Sequence, residues 1–237
     1  MKLVSFLHKG KGKLGCLVND NIVDLTIVAP SLPTDLLSLL SLGSSALKQA
    51  DEASKSASKE AYISLKNISY LTLIQRPPKI ICIGRNYAAH AKEGGAEPPK
   101  YPEIFYRGST SLLAHNAPII RPKCSTKLDY EGELVAIIGQ TARHVSRENA
   151  LGYVAGYSIF NDATLRDYQG KSSQWTIGKN FDNTGAFGPV FVTADELPSG
   201  AAGLRIQTRL NGKIMQDANT NDFIFPIEDL IEKLSEC

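Results

Sequence analysis

Short apolar runs broken by glycine and Asn-Asp turns open the chain. Positions 3–6, 14–18 and 22–25 carry strand-type residues at strand lengths. Leucines at 36, 37, 39, 40 and 42, behind Pro33, follow a helical spacing and predict a short helix. Residues 48–60 are polar, rich in Ser, Ala and Lys, and predict an exposed helix or linker. Pro77-Pro78 then punctuates the chain, and the pattern changes behind it. β-Branched and aromatic residues recur at 80–83, 104–107, 134–138, 154–159, 190–193 and 204–210, each at strand length. Residues 134–138 are continuously apolar, as in a strand buried on both faces. Asn211-Gly212 predicts a type I′ hairpin. Helical stretches are short, at 87–93, 147–151, 165–168 and, after Pro226, 227–234. The pattern predicts an α+β, β-rich fold. A small N-terminal α/β domain is expected over 1–75, and a strand-rich domain over 76–237.

Composition narrows the class. Of 237 residues, 43% are hydrophobic and 21% charged, which excludes bulk disorder and fibrous repeats. A chain of that size can bury a core without disulfides. With 26 basic and 24 acidic side chains the net charge is +2, so no nucleic-acid footprint is expected. No apolar run nears the roughly 18 residues that span a bilayer. Met1-Lys2 leads into a strand-like stretch rather than a signal peptide. Cys16, Cys82, Cys124 and Cys237 form no CxxC pair and read as reduced thiols. A soluble cytoplasmic protein with no membrane partner is expected.

Gly10-Lys11-Gly12-Lys13-Leu14-Gly15 fits the dinucleotide pattern GxGxxG, but a second strand follows it where a helix would be required. It is read as a hairpin turn. Glu131 and Glu133 lie two apart at the start of a strand and share a face. Two adjacent carboxylates repel unless a cation or a shared proton neutralises them. Either they hold a hard divalent cation, or they line the solvated face of an edge strand. Asp162, at the end of the run 157–162, is a third ligand or the N-cap of a helix over 163–168; Asp167 is expected to pair with a base or solvent. His90 and Glu93, three apart on a helix, form either an acid–base pair or a surface pair. Lys179 sits in an aromatic, glycine-bearing stretch, where it either stabilises an anionic oxygen or is merely exposed.

In this order, four segments resemble the fumarylacetoacetate hydrolase family. They are Gly84-Arg85-Asn86-Tyr87 with His90 and Glu93, Glu131-Gly132-Glu133, Asn161-Asp162, and Gly178-Lys179-Asn180-Phe181-Asp182. The similarity is to short two-domain members acting on acylpyruvates, oxaloacetate and catechol-pathway 2-oxo acids. It runs from about Pro78 onward and more loosely through the N-terminal unit. The resemblance implies a mixed β-roll core, a homodimer, and one Mg²⁺ or Mn²⁺ held by Glu131, Glu133 and Asp162. It also implies Lys179 beside metal and substrate, His90 with Glu93 as the acid–base pair, and Arg85, Tyr106 and Arg107 near the substrate. The implied activity is hydrolysis of a C–C bond of a 2,4-dioxo acid through a metal-bound enolate. Oxaloacetate decarboxylation and hydration or isomerisation of 2-oxo acids are the alternatives, and an inactive binding subunit is the non-enzyme alternative. Family members continue past the helix after Pro226 by several strands, including a Gly-Thr-Pro-x-Gly-Val segment, so a C-terminally incomplete roll is expected.

Overall fold

The computed structural model describes residues 1–88 and 99–237. β1 (Lys2–His8) and β2 (Lys11–Val18) form a hairpin, so the glycine run at 10–15 lies in a turn and a strand with no helix behind it. β3 (Asn21–Asp24) pairs with β2, and β4 (Tyr62–Ser64) with β3. Helices α1 (Leu25–Val28), α2 (Leu36–Ser41) and α3 (Ser44–Lys55) connect β3 to β4. Asp24 caps α1 by accepting from Thr26 N at 2.9 Å, and Asp35 caps α2 through Ser38 N at 2.9 Å. α3 buries Ala46, Ala50 and Ser54, one residue per turn, and leaves its charged face in water. β5 (Ser69–Tyr70) pairs with β1.

Beyond Pro78, β6 (Ile81–Gly84) and β7 (Glu103–Tyr106) make a separate two-stranded ribbon. Next come β8 (Leu112–Leu113), β9 (Leu128–Asp129) and β10 (Gly132–Ile138). After α4 (Arg147–Ala150) the chain forms β11 (Val154–Asp162), β12 (Thr164–Leu165) and the short helices α5 (Arg166–Gln169) and α6 (Thr176–Lys179). β13 (Gly185–Phe187) and β14 (Val190–Thr193) return to the main sheet. β15 (Arg205–Leu210) and β16 (Lys213–Asn219) form the hairpin expected at Asn211-Gly212, whose φ values of 51° and 83° suit a type I′ turn. α7 (Ile227–Leu234) follows Pro226 as the pattern predicts.

One sheet of ten strands runs β4-β3-β2-β1-β14-β11-β13-β8, with β5 also on β1 and β10 also on β11. Its pairings are antiparallel except β13 with β8. The N-terminal strands thus continue directly into the strands that carry the candidate site, with Leu3 opposite Phe191. The main core gathers Leu3, Leu14, Leu36, Leu39, Phe160, Phe187 and Phe191. A second core joins Val145, Ala150, Val154, Tyr157, Ile227 and Ile231 under α4 and α7. The fold is mixed α+β and strand-rich, as expected.

Two local expectations are corrected. Residues 134–138 are not buried on both faces: among the described residues β10 pairs with β11 alone, and only Ile137 of the five is buried. An edge strand lacks the neighbour that would cover it. Asp162 does not cap a helix over 163–168, because it ends β11 and α5 starts only at Arg166. No helix among the described residues is long and apolar enough to cross a membrane.

Candidate active site

The register of β10 on β11 places Gly132 opposite Asn161, and Asp162 N donates to Glu131 O at 2.8 Å. Two carboxylates 31 positions apart in sequence numbering therefore meet at one end of the sheet. α6 supplies the third member. Lys179 Nζ donates to Glu131 Oε2 at 2.5 Å and to Asp162 Oδ2 at 2.7 Å, with the side chain almost wholly buried. An ammonium has three N–H donors; these two bonds spend two of them. The Phe105 ring lies 5.0 Å from the same nitrogen.

Each carboxylate is braced from behind. Arg107, fully buried, pairs with Asp162 and also donates to Ser111 Oγ at 3.2 Å, Ala163 O at 3.3 Å and Thr184 Oγ1 at 2.9 Å. Arg166 pairs with Glu131, with Asp129 at 2.9 Å, and donates to Gln169 Oε1 at 3.2 Å. Glu133 shares the face of Glu131, yet no cation pairs with it among the described residues. Desolvation, then the charges of Glu131 and Asp162, push its carboxyl up to about 8, against a weaker pull from Lys179.

The donor set fits a hard divalent cation. Asp129, Glu131 and Asp162 face Lys179, Arg107 and Arg166, which leaves Glu133 as a fourth carboxyl without a counter-charge. Oxygen donors with surplus negative charge suit Mg²⁺ or Mn²⁺. Among the described residues no three such side chains are gathered at ligating distances; the Lys179 ammonium bonds both Glu131 and Asp162.

The remaining expected residues are scattered around this cluster. Arg85 turns to Glu103, its Nε donating to Oε2 at 2.6 Å, and stacks 5.7 Å from the Trp175 ring. Tyr106 is on the opposite face of β7 from Phe105, half-exposed, with its hydroxyl donating to Pro78 O at 3.2 Å. Arg107 braces Asp162 from the core and has no exposed surface. His90 and Glu93 fall outside the described residues. Asp167 accepts from Ser125 Oγ at 2.6 Å, and among the described residues no base pairs with it. Asn86 is a clamp: its Nδ2 donates to Phe225 O at 3.0 Å and its Oδ1 accepts from Phe225 N at 2.8 Å.

Arg166, Phe105 and Trp175 were not singled out as site residues from sequence. Arg166 offered one signal, a cation four positions after Asp162. Trp175 packs where a Cβ on Gly84 would stand, which gives that glycine its reason: any side chain there displaces the ring.

A family model for the fumarylacetoacetate (FAA) hydrolase C-terminal domain matches residues 79–237. The chain belongs to the fumarylacetoacetate hydrolase family. It is 38% identical over 237 residues to the mitochondrial oxaloacetate tautomerase of Xenopus laevis, covering 98% of this chain and 73% of that protein. The solved fumarylacetoacetate hydrolase of Exiguobacterium antarcticum superposes with a TM-score of 0.82 at 30% identity, over 99% of this chain and 81% of that one. The maleylpyruvate hydrolase of Sphingobium sp. SYK-6, solved with manganese(II) and pyruvate, also gives 0.82, at 26% identity over 100% and 83%.

Proposed function

We propose that this chain is a divalent-cation-dependent enzyme of 2-oxo acids that works through their enolates, cleaving a C–C bond of a 2,4-dioxo acid. The observation that carries this reading is the buried Lys179 ammonium, held by Glu131 and Asp162 with one N–H unspent. When bound, Mg²⁺ or Mn²⁺ at Glu131, Glu133 and Asp162 would supply Lewis acidity toward the 2-oxo group. Lys179 directs its remaining N–H to the oxygen where enolate charge develops, a bond made stronger by the dry surroundings. Arg107 and Arg166 hold Asp162 and Glu131 in place, so neither carboxylate has to reorganise as charge builds. Glu93 orients His90, which takes a proton from the water that attacks the distal carbonyl. The manganese and pyruvate of the Sphingobium hydrolase support this choice of cation and substrate class.

A second reading, tautomerisation of oxaloacetate, is favoured by the identity to the Xenopus protein. It uses the same stabilised enolate and no attacking water. We further propose residues 1–75 as a small domain beside a catalytic one at 76–237, and a homodimer. The four free cysteines suit a reducing compartment such as the cytoplasm.

Two assays with Mg²⁺ test the function. Acetylpyruvate plus water should yield acetate and pyruvate, and Glu131→Ala should abolish this. Decay of enol-oxaloacetate without acetylpyruvate cleavage would replace the hydrolase by the tautomerase. Inertness toward both would overturn both readings. His90→Ala and Glu93→Ala should lose activity non-additively if the two act as a unit.

A further inference from the structure

A lysine side chain is long and flexible, so its ammonium is aimed only as well as the backbone beneath it is held. Lys179 ends α6, a single turn whose N-terminus no side chain caps, and one isolated turn is not stable by itself. The next residue holds it. Asn180 Nδ2 donates to Thr176 O at 2.9 Å, closing the turn, and to Tyr106 O at 2.9 Å, while its Oδ1 accepts from Gly108 N at 2.6 Å. Both N–H groups of the amide and its oxygen are thus engaged. On another side of α6, Gly178 lies so close to the end of α5 that a Cβ there would stand 2.5 Å from Gln169 N.

Tyr106 and Gly108, the two residues that Asn180 grips outside α6, flank Arg107. Arg107 is the second cation on Asp162: it pairs with Oδ1, while Lys179 bonds Oδ2 at 2.7 Å. One amide therefore ties the backbone on both sides of one cation to the backbone of the other, across a single carboxylate. Arg107 has further anchors of its own in Ser111, Ala163 and Thr184, and Arg166 braces Glu131. Without Asn180 the two carboxylates keep their braces, and the ammonium is the group that loses its fixed direction.

We propose that Asn180 is a positioning residue: by fixing Lys179 relative to Arg107, it points the unspent N–H of the ammonium at the reacting oxygen. This role rests on the functional reading above, because that direction matters only where an enolate oxygen develops.

Two measurements on Asn180→Ala test it. Asn180→Asp serves as a second variant, since it keeps the shape and the acceptor for Gly108 N but has no N–H for either carbonyl. Heteronuclear NMR of the metal-free protein follows the lysine ammonium groups, and the signal missing from Lys179→Met identifies Lys179. In both Asn180 variants its hydrogen exchange should quicken by about tenfold or more. In calorimetric titration the affinity for Mg²⁺ should change little, whereas oxalate, a mimic of a 2-oxo acid enolate, should bind the Mg²⁺-loaded variants about tenfold more weakly. Wild-type exchange at Lys179 in either variant would overturn the proposal. So would quickened exchange with oxalate affinity intact, or an equal loss of Mg²⁺ and oxalate affinity, because Asn180 would then only hold the fold together. A wild type that binds Mg²⁺ but no oxalate would overturn the functional reading, and the role of Asn180 with it.

Discussion

Lys179 and Glu133 illustrate opposite electrostatic situations at one site. The lysine is 1% exposed and bonded to two carboxylates, so removing it leaves buried negative charge uncompensated. Deleting one partner of a buried ion pair costs about 3–5 kcal/mol. Lys179→Met should therefore lower the stability of the metal-free protein by that order in urea unfolding, and an unchanged midpoint would refute the coupling. Glu133 has no cation partner among the described residues and feels the repulsion of Glu131 and Asp162. Glu133→Gln should leave stability within about 1 kcal/mol or raise it, while Mg²⁺ affinity in a calorimetric titration falls. Two substitutions within one cluster should thus move stability differently.

At the scale of elements, the ribbon β6–β7 and helix α6 are locked together by Trp175 against Gly84. Trp175 is the sole tryptophan, so its fluorescence reports this junction alone. Gly84→Ala should push the ring outward, shift its emission to longer wavelength, and destabilise the protein by about 1–3 kcal/mol as overpacking does. Emission identical to wild type would mean that the contact is not tight. Two residues on, Asn86 ties the end of the ribbon to the segment before α7 through a reciprocal pair of bonds with Phe225. Asn86→Ala leaves a buried N–H and a buried C=O without partners, a loss of about 1–3 kcal/mol each way. Chemical unfolding should show it.

The whole molecule decides which of four cysteines can react. Cys16 is buried in the main core, where desolvation pushes its thiol up to about 11. Cys82 is pushed up as well, first by desolvation and then by Asp162. Cys124 and Cys237 are exposed. A maleimide at pH 7.5 should modify two thiols quickly and two slowly, counted by intact mass. Because only thiolate reacts, raising the pH to 9 should still leave Cys16 largely unmodified in the folded protein. Four equal rates in native buffer would contradict the burial of Cys16 and the half-burial of Cys82.

Local periodicity and turn chemistry were legible in the amino-acid sequence because they act over a few residues. The apolar spacing behind Pro33, the Asn211-Gly212 turn and the helix after Pro226 all form where they were expected. Residue types at Glu131, Glu133, Asp162 and Lys179, with the motifs around them, were enough to mark a family. Their partners were not, because an ion pair depends on the register of strands and helices far apart in the chain. Lys179 reaches Glu131 across 48 positions, and Arg107 reaches Asp162 across 55. The same tertiary packing buried Arg107 behind Asp162, turned Tyr106 to the opposite face of β7, and left apolar β10 at an edge. The candidate residues were thus legible as side-chain types, whereas charge balance, burial and orientation came only from which surfaces the fold pressed together.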